Sequence, residues 1–219
     1  MTTGNPAPPP SEQPSWLAKF LSYLIAFALG IFVVTFLFTT VGISGDSMQP
    51  SLHDGERVFV PKYEYWLRQV GLGHYERGEI IFFRPPLSVA EPRLRLPILG
   101  LDLPSFYIKR VVGLPGERVA IRRGVIYIDG RPLAEDYLRG LGYSSNESMP
   151  ELRVPADAYF VVGDNRHPYG SLDSRRFGPI AEDAIAGRVN FVLWPPLRRG
   201  EGGVWQLNLR SLAASGASR

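Results

Sequence analysis

Hydrophobic and polar positions divide this chain into three stretches of different rhythm. Residues 1–15 (MTTGNPAPPPSEQPS) are small, polar and Pro-rich. Such a segment cannot bury enough apolar area to order itself, so it reads as a disordered tail. Residues 20–41 then carry no charge at all. At about 1.5 Å per residue, roughly 22 residues cross a hydrocarbon core about 30 Å thick, which predicts a transmembrane helix over residues 16–41. Trp16 and Tyr23 sit where interfacial aromatics are favoured, and Lys19 can snorkel on the N-terminal side. A cleaved secretory signal has a shorter apolar region, about 7–15 residues, and a buried core helix would show a polar face.

From Gly42 the rhythm becomes that of short strands and turns. Glu79-Ile80-Ile81-Phe82-Phe83-Arg84 is an apolar run closed by Pro85-Pro86. Arg118-Val119-Ala120-Ile121-Arg122 and Val125-Ile126-Tyr127-Ile128 flank Arg123-Gly124 and read as a hairpin, with Asp129-Gly130 marking the next turn. Residues 159–162 and 189–194 are further strand candidates. From about residue 200 to 219 the chain thins into Gly, Ser and Ala, a loose tail. The pattern therefore predicts a mainly β, antiparallel domain over residues 42–199, preceded by one helix.

Composition sharpens this picture in three places. Twenty Pro and 23 Gly among 219 residues suit many turns rather than a helical bundle. A formal net charge of only +3, without a long basic run, argues against a nucleic-acid partner. The absence of Cys excludes disulfides, thiolate metal sites and cysteine nucleophiles. Lys19 and the N-terminal amine favour a cytoplasmic N-terminus, with Arg57 and Lys62 weighing the other way.

Three motifs carry chemistry. Gly45-Asp46-Ser47-Met48-Gln49-Pro50 follows the apolar span, and its Gly and Pro bracket a Ser as a tight loop presenting a hydroxyl would. The plainer reading is an ordinary turn. Lys109 stands inside the apolar run Tyr107-Ile108-Lys109-Arg110-Val111-Val112. Burial disfavours an ammonium, and the resulting neutral amine can take a Ser proton, the Ser–Lys form of nucleophile activation. The alternative is a lysine that snorkels to water. Gly163-Asp164-Asn165-Arg166 and Ser171-Leu172-Asp173-Ser174-Arg175 gather short polar side chains after an apolar run, or form an Asx turn with surface ion pairs.

In this order the motifs resemble the boxes of the type I signal peptidases. Arg77-Gly78-Glu79-Ile80-Ile81-Phe82-Phe83-Arg84-Pro85, Gly178-Pro179-Ile180 and Ile185-Ala186-Gly187-Arg188 are similar to the intervening and closing boxes, so the resemblance spans about residues 16–196. It implies a membrane-bound serine endopeptidase that removes signal peptides from exported preproteins after small residues, through an acyl-enzyme. Ser47 would be the nucleophile and its backbone N–H an oxyanion donor. Lys109 would be the general base, Ser171 would hold its amine by a hydrogen bond, and Asp173 with Arg175 would form a supporting ion pair. Ile43, Met48, Leu52, Tyr107 and Ile108 would line shallow pockets for the substrate. The implied fold is an antiparallel β catalytic domain, extracytoplasmic, with a small β insert within about 123–155. No cofactor or metal is implied; the partners are preproteins near the translocon and membrane lipid.

The chain departs from the pattern at two points. Some members carry a Ser or Thr two residues before the nucleophile, where Gly45 stands. The expectation is that Gly45 marks a missing oxyanion donor, so that Gly45→Ser is neutral or beneficial; the alternative is a glycine required by positive φ. Residues 167–170 lengthen the loop before Ser171, and the Leu- and Pro-rich 87–103 loop has no assigned role. Three other functions fit parts of the sequence: a Ser–His–Asp hydrolase using His167 or His53, a self-cleaving repressor-type protease, and a membrane-anchored binding module.

Overall fold

The structure, a computed structural model, describes residues 15–69, 71–86, 89, 94–96, 101–103, 106–138, 145–199 and 203–212. Apart from Ser15, the expected Pro-rich tail lies outside the described residues, as do most of the 87–103 loop and positions 200–202 and 213–219. The chain divides into two units, residues 1–37 and 38–219.

In the first unit an α-helix spans Trp16–Phe32 and passes into a π-helical turn at Val33–Leu37. Ser15 caps it, its hydroxyl accepting from the Ala18 N–H, which satisfies one of the first-turn donors that a helix leaves unpaired. Trp16, Phe20, Tyr23 and Phe27 are all exposed. No helix among the described residues is long and apolar enough to cross a membrane. The helix expected over 16–41 thus stops short, because Phe38–Gly42 is a strand. Thr39, Thr40 and Val41 are β-branched and pair with Val60, Phe59 and Val58, so sheet pairing overrides the apolar run there.

The second unit is mainly β and built from several antiparallel sheets. One sheet runs in the order Phe38–Gly42, Arg57–Pro61, Phe191–Trp194, Arg210–Ser211. A central sheet runs Ile180–Ala181, Ala158–Val162, Tyr107–Gly113, Ile80–Phe83, Ile185–Arg188. A third runs Met149–Arg153, Arg118–Arg122, Val125–Ile128, Arg131–Pro132. Arg123 and Gly124 both take positive φ, the geometry of a two-residue hairpin turn.

Central strands read as unbroken apolar runs because both of their faces are covered. Ile80 and Phe82 point into a core with Val58, Val60 and Val192 of the first sheet and with Val189. Ile81 and Phe83 point the other way, to Val111, Tyr159, Val161, Ile180 and Ile185. A third core joins Val112, Phe160 and Val162 to Val119, Ile121 and Ile126 of the third sheet. The strands are therefore fixed in register by opposed cores, since a one-residue slip would exchange their faces.

Candidate active site

The loop 43–56 joins two paired strands, and its neck is closed by backbone bonds from Ile43 N to Glu56 O (2.8 Å) and from Gly55 N to Ile43 O (3.0 Å). Inside the neck, Met48 and Leu52 anchor the loop in the first core, and the Leu52 N–H donates to Met48 O (2.9 Å). Gln49 Nε2 donates to Asp46 Oδ1 (2.6 Å). Ser47 sits just before Met48, in the turn closed by Gln49 N–H on Asp46 O (3.1 Å), half-buried. Gly45 has φ +87° while its N–H donates to Asp54 Oδ1 at 2.8 Å. No atom lies within 4 Å of where a Cβ would stand, so the backbone conformation itself, which L-residues avoid, is what demands glycine. The expectation that Gly45 only marks a missing hydroxyl is corrected by this geometry.

Lys109 comes from the central strand Tyr107–Gly113, where it pairs with Ile81. It is 4% exposed. Its Nζ lies 2.7 Å from Ser47 Oγ and 2.9 Å from the Ile108 carbonyl. Burial lowers its pKa to about 8; Asp173 and Asp164 pull it back up, and Arg175 lowers it further. Residues 62 positions apart are thereby brought into one hydrogen bond. The lysine lies under the protein surface and does not snorkel.

Behind this pair stands the loop after Ala158–Val162. Asp173 is fully buried and takes a two-pronged bond from Arg175, Nε to Oδ1 and Nη2 to Oδ2, each 2.8 Å. The Gly163 N–H adds a bond to Asp173 Oδ2 (2.9 Å). Burial opposes ionisation of Asp173, but Arg175, Gly163 and the neighbouring Ser171 hydroxyl outweigh it and hold the carboxyl below its usual range. Asp173 and Arg175 thus form a buried ion pair. Ser171 was expected to bond the Lys109 amine, but Lys109 Nζ turns to Ser47 Oγ and its own strand's carbonyl, and the buried Ser171 hydroxyl neighbours Asp173 instead.

The structure places the pocket residues in two groups. Ile43, Met48 and Leu52 belong to the first core, with Ile108 packed against it, whereas Tyr107 packs on the second core. Leu52 has no exposed surface and Met48 only 2%. Ile108 and Tyr107 are half-buried.

Several contributors escaped the sequence reading. Arg110 makes a buried fork on Asp164 (2.8 and 2.6 Å) and also donates to Gly78 O and Ser51 Oγ. Asn165 holds the nucleophile loop by its backbone, N–H to Ser47 O (3.1 Å) and Nδ2 to Asp46 O (3.2 Å). Gly163 lets the two segments meet: a Cβ there would stand 2.5 Å from Ser47 O and 2.6 Å from Ser171 Cβ. The only sequence signal for these was their membership of the Gly163-Asp164-Asn165-Arg166 run and the position of Arg110 beside Lys109. Among the described residues no group of three or more His, Asp or Glu could hold a metal ion.

A half-buried Ser47 and a buried Lys109 in hydrogen-bond contact, set among antiparallel sheets, give the arrangement of a serine hydrolase. The model of the family described as signal peptidase, peptidase S26, matches residues 16–194. Signal peptidase I of Bacillus amyloliquefaciens is 36% identical over 180 residues, covering 78% of this chain and 82% of that protein. Signal peptidase I T of Bacillus subtilis (strain 168) is 37% identical over 180 residues with the same two coverages. The crystal structure of a signal peptidase I from Enterococcus faecalis V583 is 32% identical and covers 53% of this chain and 97% of that one, with a TM-score of 0.39. This chain belongs to the signal peptidase I family and is a serine endopeptidase.

Proposed function

We propose that the chain removes signal peptides from exported preproteins, with Ser47 as nucleophile and Lys109 as general base. The observation that carries this reading is the 2.7 Å contact between Lys109 Nζ and Ser47 Oγ, with the lysine buried and its pKa lowered to about 8. An ordinary lysine is almost wholly protonated near neutrality and cannot accept a proton; this one is neutral in a useful fraction of molecules. The neutral amine takes the hydroxyl proton as Ser47 Oγ attacks the scissile carbonyl. The same proton passes to the leaving amine, and an acyl-enzyme remains for water to hydrolyse, with Lys109 again the base. The backbone N–H of Ser47 serves as an oxyanion donor.

The ladder between Tyr107–Gly113 and Ala158–Val162 begins at Arg110↔Val162, so Ile108 and Lys109 precede that pairing. An extended substrate segment adds main-chain bonds alongside this stretch. Its small side chains meet Ile108 and Tyr107, over a floor of Met48 and Leu52, with Ile43 beside them. Asp173 with Arg175 and the buried Ser171 support the site from behind.

The remaining organisation follows the same reading. Residues 16–37, the helix and its π turn, anchor the chain in the plasma membrane, with a cytoplasmic N-terminal tail over 1–15; the anchor expected over 16–41 is shortened because Phe38–Gly42 pairs into the first sheet. From that strand to residue 199 the chain forms the extracytoplasmic peptidase domain, with the small β insert within about 123–155, and 200–219 a tail. Membrane lipid and preproteins at the translocon are its partners. The test is incubation of the detergent-solubilised protein with a preprotein and sequencing of the new N-terminus. Ser47→Ala and Lys109→Ala should each lose processing by several orders of magnitude while keeping the parental unfolding transition. Normal turnover by Lys109→Ala would sink the mechanism.

A further inference from the structure

The family model ends at residue 194, yet side chains beyond that point reach into the nucleophile loop. Arg210 lies on the edge strand Arg210–Ser211, paired with Val192 of the first sheet. The segment is docked there by the Leu212 N–H bond to Asn190 O (2.8 Å) and by Leu212 packing on the first core. From this edge Arg210 donates to both oxygens of Glu56, Nη1 to Oε1 at 3.0 Å and Nη2 to Oε2 at 2.8 Å. Its Nη2 also donates to the Ser51 carbonyl at 2.8 Å. Glu56 is 2% exposed and takes two more bonds, from the His53 N–H (3.0 Å) and from Asn208 Nδ2 (3.1 Å). Burial alone would disfavour its charge, but Arg210, His53 and Asn208 hold the carboxyl below its usual range.

Ser51 is thus gripped from two sides. Arg110, the residue after Lys109, holds its hydroxyl at 3.0 Å, and Arg210 holds its carbonyl. Ser51 lies in the turn closed by the Leu52–Met48 bond, and Ser47, four residues earlier, lies in the adjoining turn closed by Gln49 N–H on Asp46 O (3.1 Å), so a shift at Ser51 is passed to Ser47.

We propose that Arg210, anchored on Glu56, is a positioning residue that fixes the nucleophile loop and so keeps Ser47 Oγ within reach of Lys109. The proposal rests on the reading of Ser47 and Lys109 as the reacting pair. Displacement of a reacting atom by about 1 Å can cost about a hundredfold in rate, so a grip on the loop neck has leverage on turnover. It has little on substrate affinity, because the bonds of Arg210 go to Glu56, Asn208 and Ser51 and not to the strand that the substrate adds to.

The full chain in detergent is assayed with a signal-peptide substrate, and its active sites are titrated with an inhibitor that acylates Ser47. For Arg210→Gln, kcat per titrated site should fall about tenfold or more while KM stays near the parental value. A merely structural role would instead lower the number of titratable sites and leave each surviving site at parental kcat; that result overturns the proposal. Should the lone buried Glu56 unfold the single variant, Glu56→Gln/Arg210→Gln removes both charges together and is read by the same criterion. Ser47→Ala run alongside separates the two levels. Cleavage by Ser47→Ala would remove the nucleophile reading and this proposal with it, whereas an inactive Ser47→Ala beside an Arg210→Gln of parental per-site kcat overturns only the proposal.

Discussion

Replacing Gly45 separates two accounts of the oxyanion site. Its φ of +87° costs an L-residue about 1–2 kcal/mol, and no neighbouring atom within 4 Å adds to that. The folded variant can escape the strain by rotating the backbone, but it then gives up the 2.8 Å bond from Gly45 N–H to Asp54 Oδ1, at about 1.5–3 kcal/mol for a charged acceptor. Strain therefore sets the smaller cost, and both Gly45→Ala and Gly45→Ser should lose about 1–2 kcal/mol of unfolding free energy in urea titrations. Ser47 is two residues away, so kcat/KM should fall about ten- to a hundredfold in both. The comparison between the two variants is decisive. A true oxyanion donor is worth about 2.7–4 kcal/mol, so a serine hydroxyl filling that role would lift Gly45→Ser at least about a hundredfold above Gly45→Ala. Backbone strain instead predicts near-equal losses. A Gly45→Ser enzyme at or above parental kcat/KM, with parental stability, would refute the reasoning.

Four more outcomes can be measured. With a Lys109 pKa of about 8, log kcat/KM should rise with pH and level off above that value if, as proposed, the neutral amine is the base. Stability should also rise between about pH 8 and the ordinary lysine value of 10.5, because there the unfolded chain binds the proton that folded Lys109 has released; Lys109→Met should flatten this rise. Gly163→Ala should cost about 1–3 kcal/mol of stability and most of the activity, since its Cβ would press on Ser47 O at 2.5 Å; parental activity would show that the two segments do not need this contact. A substrate with Ala at the first and third positions before the cut should be processed and one with Phe at the first position should not, and equal rates would remove Ile108 and Tyr107 from the pocket wall.

The β architecture was legible because each strand signal was local. Residues 80–83, 118–128 and 159–162 announced themselves by apolar runs and turn residues, and the sheets use them within a residue or two. The stretch 38–41 misled, because an uncharged apolar run is common to a membrane helix and to a buried strand, and only pairing with Arg57–Pro61 decides between them. Ser47 and Lys109 could be picked out by motif, but nothing in their spacing tells that Asn165 grips the loop or that the amine's second bond goes to the Ile108 carbonyl. Those facts depend on how loops pack across three sheets. Gly45 shows the same limit at a single residue: its identity was visible, while its φ, which explains the identity, was not.

The charges around Lys109 follow a physical requirement that the Ser–Lys arrangement imposes. A lysine base must stay neutral near working pH, which calls for burial, yet a buried loop with many polar backbone groups also calls for ionised partners to hold it. Asp164 and Asp173 do that holding, and each would raise the Lys109 pKa if left alone. Each is instead forked by an arginine, Arg110 on Asp164 and Arg175 on Asp173, with both pairs buried. At the distance of Lys109 such a pair acts as a dipole rather than a charge, and its field falls off faster than that of the lone carboxylate. Desolvation then remains the largest influence on the amine, which is the order found here. Buried ion pairs give little net stability, so their value in this fold lies in fixing loop geometry without a net charge beside the base. On this argument the arginines matter to catalysis even though neither donates to the Lys109–Ser47 pair: removing Arg175 unmasks Asp173 and moves the lysine back toward its ordinary, protonated state.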